Sequence, residues 1–396
     1  MQKNASGQEL NERLKKFCAA MNASNPTWDT AVILGKVNQY YFTGTMQDGL
    51  LLVKKDGSAL YFVRRSFARA KDESPLKAVY PMESYGDAAR IAGGQLGNVF
   101  IETEIATVGI LERLKRKFAM ESVGSLDRVL LSLRAVKSPF ELSWMEESGR
   151  RHHHFLADVV PALLKEGVSE ADFTASMFPK MVENGFQGMS RFSMFENEMV
   201  VGQIGFGTNS LYPTNFDGPG GAAGVSPAAP FLGSRERRLK RGDLVFVDIG
   251  FAVNGYNTDK TQIYMFGAQP SEEALRAHQG CLDVQRRVAG ALKPGAIPSE
   301  IYDGVMESLS GDFRQNFMGF GARQVKFLGH GVGLHVDELP LIAPGYKIPL
   351  QVGMALAIEP KKGVPNVGMV GVEDTYLVEE GGGRCITGGG ADIIVV

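Results

Sequence analysis

The 396-residue chain contains 44% apolar and 22% charged residues and carries a formal net charge of −2, a composition typical of a globular protein of about two domains. Without an excess of basic residues, nucleic acid and anionic membranes are excluded as preferred partners. Three widely spaced cysteines exclude a disulfide framework. The first residues lack the apolar core of a signal peptide and no apolar run is long enough for a membrane span, so we expect a cytoplasmic protein.

The first third of the chain alternates helix-like and strand-like segments. Residues 8–22 place Leu10, Leu14 and Phe17 at helical spacing. Four β-like runs and one more helical segment follow, at residues 30–36, 50–55, 59–65 and 98–102 for the strands and 108–120 for the helix. This alternation predicts a small α/β domain, which we place at residues 1–132.

A helix is expected to open the second part of the chain, within residues 133–164. Ser138 and Glu141 have the S-x-x-E spacing of a capping box at its start. The same helix carries the consecutive histidines His152, His153 and His154. Three consecutive helical positions spread about 300° around the axis and cannot bind one ion, so we expect surface or interface roles for them.

Residues 202–243 are rich in glycine and proline and are expected to be irregular. Such a segment either lines a functional site or forms a solvated loop. Strand-like runs dominate from residue 244 onward and are interrupted by a helical region at 271–311.

Two aspartates are predicted to share one face of a hairpin. Asn254-Gly255 is a turn signal between two β-like runs. A turn centred there pairs residue 248 with residue 261, which makes Asp248 and Asp259 diagonal neighbours about 7–8 Å apart. Two carboxylates at this separation can bind one metal ion or a close pair. A salt-bridge centre is the alternative, but Lys260 is the only basic residue on these strands.

Three further residues are candidates for the same metal site. His330 lies between two glycines that leave its imidazole uncrowded. Glu359 ends one apolar run and Glu373 begins another, and a hairpin between them would bring both to the same place. Because burying an unpaired carboxylate is costly, four carboxylates in apolar segments require cations. Imidazole and carboxylate ligands without thiolate suit manganese, iron, cobalt or zinc.

The order of these residues resembles a known family. The motifs D-I-G-x4-G-Y-x-T-D, G-H-G-V-G-L-x-V-x-E-x-P, I-E-P and V-E-D are similar to those of the creatinase, prolidase and methionine aminopeptidase family, which has the pita-bread fold. The resemblance is strong over residues 133–385, and residues 37–53 resemble the N-terminal domain of the Xaa-Pro branch. It implies an α/β (α+β) fold, with a small creatinase-type α/β domain at 1–132 and a pita-bread catalytic domain at 133–396.

The resemblance also implies a function and a ligand set. Two divalent metal ions are expected, with Asp248 on one, His330 and Glu359 on the other, and Asp259 and Glu373 bridging both. A metal-activated water would attack the peptide carbonyl, while Glu359 or Glu373 would pass a proton to the leaving amine. The implied protein is a homodimeric metallopeptidase of the Xaa-Pro dipeptidase or aminopeptidase type.

The positions expected to contact the substrate depart from the family pattern. Two histidines that commonly contact substrate are replaced by Thr214 and Asp337, and an arginine often found two residues before Glu373 is replaced by Gly371. His335 would point the same way as Asp337 on an extended backbone, so it either takes over a histidine's role or is structural. Our candidates for substrate binding are therefore Thr214, His335 and Asp337, and those for catalysis are Glu359, Glu373, His335 and Asp337.

Two other functions stay open. The altered substrate positions favour a pita-bread lyase or hydrolase that acts on a small non-peptide molecule. A non-catalytic binding module is disfavoured, because such domains tend to lose metal ligands and this chain has all five.

Overall fold

The computed structural model describes residues 4–193, 199, 201–390 and 392–396. The chain divides into two compact units, Met1–Arg134 and Ala135–Val396. The domain limits suggested by the sequence, 1–132 and 133–396, remain a proposal.

The first unit is built on one mixed sheet. Its strands are β1 (Thr30–Ile33), β2 (Gly49–Lys54), β3 (Ala59–Val63), β4 (Val79–Pro81), β5 (Gln95–Ile101) and β6 (Ala119–Ser125). They lie in the order β4-β3-β2-β1-β5-β6, antiparallel at β1–β2 and β2–β3 and parallel elsewhere. The helices are α1 (Gly7–Ser24), α2 (Lys36–Thr43), α3 (Phe67–Glu73), α4 (Tyr85–Ala92), α5 (Val108–Lys115) and α6 (Asp127–Ala135).

Of two helices predicted in this unit, one is confirmed and the other was predicted too long. The amphipathic helix expected at 8–22 is confirmed as α1, in which Leu10 and Phe17 are fully buried. The helix expected at 108–120 is too long, because it ends at Lys115 and the chain then forms the edge strand β6. Most side chains of β6 are exposed or half-buried, so this segment lacks the apolar alternation that identifies a strand in a sequence.

The second unit contains two larger sheets and two antiparallel strand pairs, one of which joins β10 to β11. Its strands are β7 (Gly202–Phe206), β8 (Leu244–Val253), β9 (Tyr256–Met265), β10 (Gly319–Phe320), β11 (Arg323–Gln324), β12 (Gly329–Gly331), β13 (Glu338–Ile342), β14 (Ala355–Ile358), β15 (Lys361–Val364), β16 (Gly368–Gly371), β17 (Asp374–Glu379), β18 (Gly382–Cys385) and β19 (Ile394–Val395). One sheet has the order β19-β9-β8-β7 and the other β13-β12-β14-β17-β18, while β15 pairs with β16.

Helices cover these sheets. They are α7 (Pro139–His154), α8 (Glu170–Glu183), α9 (Glu272–Ala291), α10 (Pro298–Ser308) and the short α11 (Gly311–Arg314). The apolar side of α9 packs into a core that includes Val284 and Val288 from the helix and Leu356 and Val378 from the five-stranded sheet. Across the residues that the structure describes, none of the helices is both long and apolar enough to cross a lipid bilayer.

The capping box predicted for the second unit is confirmed, but the helix behind it is shorter than the predicted segment. The Ser138 hydroxyl oxygen accepts a hydrogen bond from the Glu141 N–H, and the Ser138 N–H donates one to Glu141 Oε2. The α-helix ends at His154, and the chain continues through a π-helical turn at Phe155–Val159 and a 3-10 turn at Val160–Leu163. Pro161 lies in that last turn, where it cannot donate an N–H to an α-helical ladder.

The prediction that residues 202–243 are irregular is wrong at the start of this segment, where β7 pairs with β8. The glycines made the strand hard to recognise, yet they are required by close packing. A Cβ on Gly202 would lie 2.1 Å from the carbonyl oxygen of Asp248.

The surface or interface role expected for the three histidines is wrong for His152. Its side chain is fully buried, stacks on Phe251 and has Nδ1 3.1 Å from Thr258 Oγ1. Burial lowers the pKa of His152 well below its usual value, so the ring is neutral. His154 does lie at the surface, where it contacts Asp158.

Candidate metal centre

The hairpin that carries the two aspartates has the predicted register. Val253 pairs with Tyr256 and Asp248 pairs with Thr261, while Asp259 lies opposite Gly250. Asn254 and Gly255 form the turn with positive φ angles of 50° and 93°, as a type I′ turn requires. Because side chains alternate along a strand, Asp248 and Asp259 face the same side of the sheet.

The second predicted hairpin is also confirmed. It runs from β14 into β15, turns back as β16 and continues into β17. Ile358 pairs with Asp374 before a short break and Lys361 pairs with Gly371 after it. The register is the same on both sides of the break, which places Glu359 directly opposite Glu373.

The two sheets meet beside the acidic residues. An isolated bridge joins Thr261 of β9 to Glu373, and the Thr261 hydroxyl donates a 3.0 Å hydrogen bond to Glu373 Oε2. Thr375 reinforces this junction, because its hydroxyl donates to the Asp259 carbonyl and accepts from the Asp259 N–H. Residues distant in sequence are thereby brought together; we name Asp248, Asp259, His330, Glu359 and Glu373 the acidic cluster.

His330 is oriented by its own strand. Its Nδ1 donates to the carbonyl oxygen of Gly331 at 3.0 Å, which leaves Nε2 to face the carboxylates. Nε2 lies 3.5 Å from Glu359 Oε1, 3.7 Å from Glu373 Oε1 and 4.0 Å from Asp259 Oδ2. Burial disfavours the charged imidazole, but the surrounding carboxylates raise the pKa of His330 well above its usual value. A metal ion bound at Nε2 would take the place of the proton there.

A residue that the sequence analysis missed lies inside this cluster. The Lys361 ammonium donates to Asp248 Oδ2 at 3.0 Å, to Glu359 Oε2 at 2.8 Å and to Glu373 Oε2 at 2.7 Å. The side chain is completely buried. Its position two residues after Glu359 was a usable signal, since alternate residues of an extended segment share a face.

The ionisation of the cluster reflects burial opposed by neighbouring charges. Burial raises the pKa of Asp248 to about 7, and burial together with the Glu373 charge raises the pKa of Glu359 to about 8. Burial alone would also raise the pKa of Glu373, but Lys361 and His330 hold it below its usual value. Although burial disfavours the charged ammonium, the carboxylates raise the pKa of Lys361 well above its usual value. The cluster thus favours additional positive charge.

The donor set fits a divalent cation. Among the described residues, Asp259, His330 and Glu373 are a group whose ligand atoms all lie within 4.8 Å of one another. Glu373 Oε1 is buried and has no hydrogen-bond partner within the described part of the chain. Glu102 is a contrasting buried carboxylate, because it accepts from the backbone N–H groups of Leu34 and Gly35. The Glu373 oxygen that faces His330 is therefore suited to bind a metal ion.

Of the three residues expected to contact the substrate, Asp337 lies directly against the cluster. Its Oδ1 is 3.6 Å from His330 Nδ1, and its Oδ2 is buried without a hydrogen-bond partner among the described residues. Burial raises the pKa of Asp337 to about 6. Thr214 is linked to the cluster through Gln203, which pairs with Asp248 and donates to Thr214 Oγ1 at 3.5 Å.

The argument that His335 points the same way as Asp337 is wrong, because the backbone is not extended there. Residues 333–337 form a series of bends, in which the Gly333 N–H donates to the His335 carbonyl oxygen. The backbone N–H of His335 donates to Glu338 Oε1. Period-two reasoning does not apply across such a segment.

Comparisons with known proteins agree with this geometry. Residues 143–380 match the model of metallopeptidase family M24, and residues 13–136 match the creatinase/prolidase N-terminal domain. An Xaa-Pro dipeptidase of Pyrococcus furiosus is 28% identical over 384 residues, which cover 96% of this chain and 98% of that protein. An uncharacterized peptidase of Staphylococcus aureus is 27% identical over 383 residues, covering 95% and 98%.

Solved structures show the same fold over nearly the whole chain. Prolidase from Pyrococcus furiosus has a TM-score of 0.74 at 26% identity, covering 93% of this chain and 98% of that one. Prolidase from Pyrococcus horikoshii has a TM-score of 0.78 at 24% identity, covering 97% and 100%. The predicted α/β fold, a creatinase-type N-terminal domain followed by a pita-bread domain, is confirmed. Since the family match spans more than half of the chain and includes the whole acidic cluster, this protein belongs to metallopeptidase family M24.

Proposed function

We propose that this protein is a divalent-metal-dependent peptidase of the Xaa-Pro dipeptidase or aminopeptidase type. One observation carries the proposal: a buried Glu373 oxygen, without a hydrogen-bond partner among the described residues, lies 3.7 Å from His330 Nε2 inside the acidic cluster. Family membership implies divalent metal cofactors and a peptide substrate. The relative named Xaa-Pro dipeptidase, similar over nearly the full length of both chains, supports the substrate class.

The acidic cluster is the proposed metal-binding set, with manganese, cobalt, iron or zinc as candidate ions. These residues would hold a divalent cation, which would supply Lewis-acid chemistry by polarising a peptide carbonyl and lowering the pKa of a water to near neutrality. Glu359 and Glu373 are the proposed proton carriers to the leaving amine, because both are buried at the same point of the cluster. The resemblance implies two ions, but this expectation was made before Lys361 was known to lie inside the cluster.

Asp337 is predicted to reduce turnover of Xaa-Pro dipeptides relative to longer Xaa-Pro peptides. A dipeptide places its free carboxylate near the scissile bond, where the negative charge of Asp337 disfavours it. Replacing Asp337 with histidine removes this charge and supplies an imidazole donor, so dipeptide turnover should rise by about a hundredfold, the scale of one oxyanion-stabilising donor. Steady-state kcat/KM for both substrate lengths, with matched metal loading, measures the effect.

The control for this experiment is Asp392→Ala, which removes an exposed carboxylate and should leave the substrate preference unchanged. Dipeptide turnover by the unaltered protein equal to its turnover of longer peptides would contradict the role given to Asp337.

The second candidate function is hydrolysis or lyase chemistry on a small cationic non-peptide. The unpartnered Asp337 Oδ2 favours it, because a buried carboxylate oxygen near the metal-binding residues can accept hydrogen bonds from a cationic group. A panel that adds small cationic compounds to the peptides discriminates the two. Turnover confined to the non-peptides would replace the peptidase proposal.

A homodimer is proposed on the resemblance, and the cytoplasmic location expected from the sequence remains a prediction. Multi-angle light scattering at micromolar concentration should return about twice the chain mass of 42.9 kDa. A mass equal to that of a single chain, unchanged as concentration is raised tenfold, would show the dimer proposal to be wrong.

A further inference from the structure

Each of the two glutamates of the acidic cluster directs one carboxylate oxygen toward Lys361 and the other toward His330. Oε2 of Glu359 and Oε2 of Glu373 accept from Lys361. Oε1 of Glu359 and Oε1 of Glu373 instead face His330 Nε2, at 3.5 and 3.7 Å. Two adjacent carboxylates that bridge neighbouring cation positions are the arrangement of a two-metal site, but here one of the positions is filled by a side chain.

The ammonium of Lys361 is fully satisfied where it lies. An ammonium has three N–H donors, and each finds a different carboxylate, on Asp248, Glu359 and Glu373. The distances of 2.7–3.0 Å are those of charge-assisted hydrogen bonds. A metal ion bound to the same three oxygens would require the space that Lys361 Nζ occupies.

We propose that Lys361 takes the place of one of the two ions, so that the cluster binds a single divalent cation through Asp259, His330, Glu359 and Glu373. The replaced ion is the one that the resemblance assigns to Asp248, because Asp248 is a partner of the ammonium. This deepens the proposed function and rests on it, since both concern the same metal site.

The opposite strand accommodates the lysine. Lys361 pairs with Gly371, the position where an arginine is often found in the family. Gly371 has φ of 132°, and a Cβ there would lie 2.6 Å from Lys361 Cα and 3.2 Å from its Cγ. A side chain at 371 would therefore collide with the backbone at Lys361 and come close to its Cγ, so the glycine leaves room for the stem of the lysine.

Charge favours one ion over two beside the lysine. The four carboxylates of the cluster carry four negative charges when ionised, and Lys361 offsets one of them. One divalent cation offsets two more and leaves a single negative charge with neutral His330. Two ions beside a buried ammonium would give an excess of positive charge in a site from which water is largely excluded, which is unfavourable.

Metal stoichiometry of the full chain tests the proposal without substrate. Elemental analysis and calorimetric titration with Mn2+ alone should give one ion per unaltered chain. Lys361→Ala removes the ammonium and opens its position, so this variant should bind a second ion. Lys362→Ala is the matched control, because the neighbouring lysine donates to the backbone carbonyls of Phe313 and Gln315 outside the cluster; it should keep one ion.

Electron paramagnetic resonance provides an independent measurement on the same samples. Mn2+ bound to the unaltered protein should give the spectrum of an isolated ion, and Mn2+ bound to Lys361→Ala that of an exchange-coupled pair. If Lys361→Ala does not fold, the unaltered protein alone decides the question, since two ions per chain would overturn the proposal. A folded Lys361→Ala that still binds only one ion would overturn it as well.

The outcomes separate this inference from the proposed function. Two ions per chain together with Xaa-Pro cleavage would reject the inference and keep the function. One ion per chain without cleavage of any peptide would keep the inference and reject the function. No metal binding would reject both.

Discussion

Replacing Glu373 with alanine should abolish tight metal binding and metal-dependent peptide hydrolysis. Glu373 contributes the unpartnered oxygen that faces His330, and it lies at the bridge between the two sheets. Loss of an outer-shell partner already weakens metal binding by about 10–100-fold, so loss of a direct ligand should exceed about a hundredfold. Calorimetric titration with Mn2+ and peptidase assays at fixed metal concentration measure both effects. Asp259→Ala should behave in the same way.

Glu379→Ala is the control for this prediction. Glu379 ends the strand that follows Glu373, but it is only half-buried and pairs with Arg384. Its replacement should leave metal affinity unchanged. Full metal content in Glu373→Ala and Asp259→Ala, with circular dichroism showing a native fold, would show that neither residue is a ligand.

Replacing Lys260 with methionine should destabilise the second unit by about 3–5 kcal/mol, the cost of leaving one partner of a buried ion pair uncompensated. Lys260 Nζ lies 2.5 Å from Asp374 Oδ1, and both side chains are almost completely buried. Asp374 also accepts from Thr387 and Gln285, but neither supplies a positive charge. Urea denaturation followed by circular dichroism measures the free energy of unfolding.

A double variant tests the stated cause. Lys260→Met with Asp374→Asn removes both charges and keeps an oxygen for Thr387 and Gln285, so it should be more stable than Lys260→Met alone. Replacing the exposed Lys347 by methionine should change the free energy of unfolding by less than about 0.5 kcal/mol. A double variant as unstable as the single one would attribute the loss to packing rather than to charge.

The sequence predicted the metal-site geometry where local rules determine the backbone. The Asn254-Gly255 turn sets the register of its hairpin, and the register sets the faces of Asp248 and Asp259. The same reasoning placed Glu359 near Glu373. These predictions needed only the two-residue period of a strand and a recognisable turn.

Features that depend on distant partners were not predictable in this way. His152 was assigned to a surface or interface because three consecutive helical positions cannot bind one ion, yet it is buried against Phe251 of a strand far along the chain. His335 was assigned a direction on an extended backbone that the structure does not have. Lys361 had a readable position on its strand, but a lysine inside an acidic metal-binding cluster contradicts the expectation that lysines are exposed.

The covalent attachment of the Lys361 ammonium has a consequence when divalent ions are scarce. A chelator can remove a bound metal ion from a protein, but it cannot remove an ammonium that is part of a side chain. Asp248, Glu359 and Glu373 keep a cationic partner whenever the chain is folded. The protein therefore does not need divalent ions to hold these three carboxylates of the acidic cluster in place. When a scarce ion becomes available, it binds to a site that is already assembled.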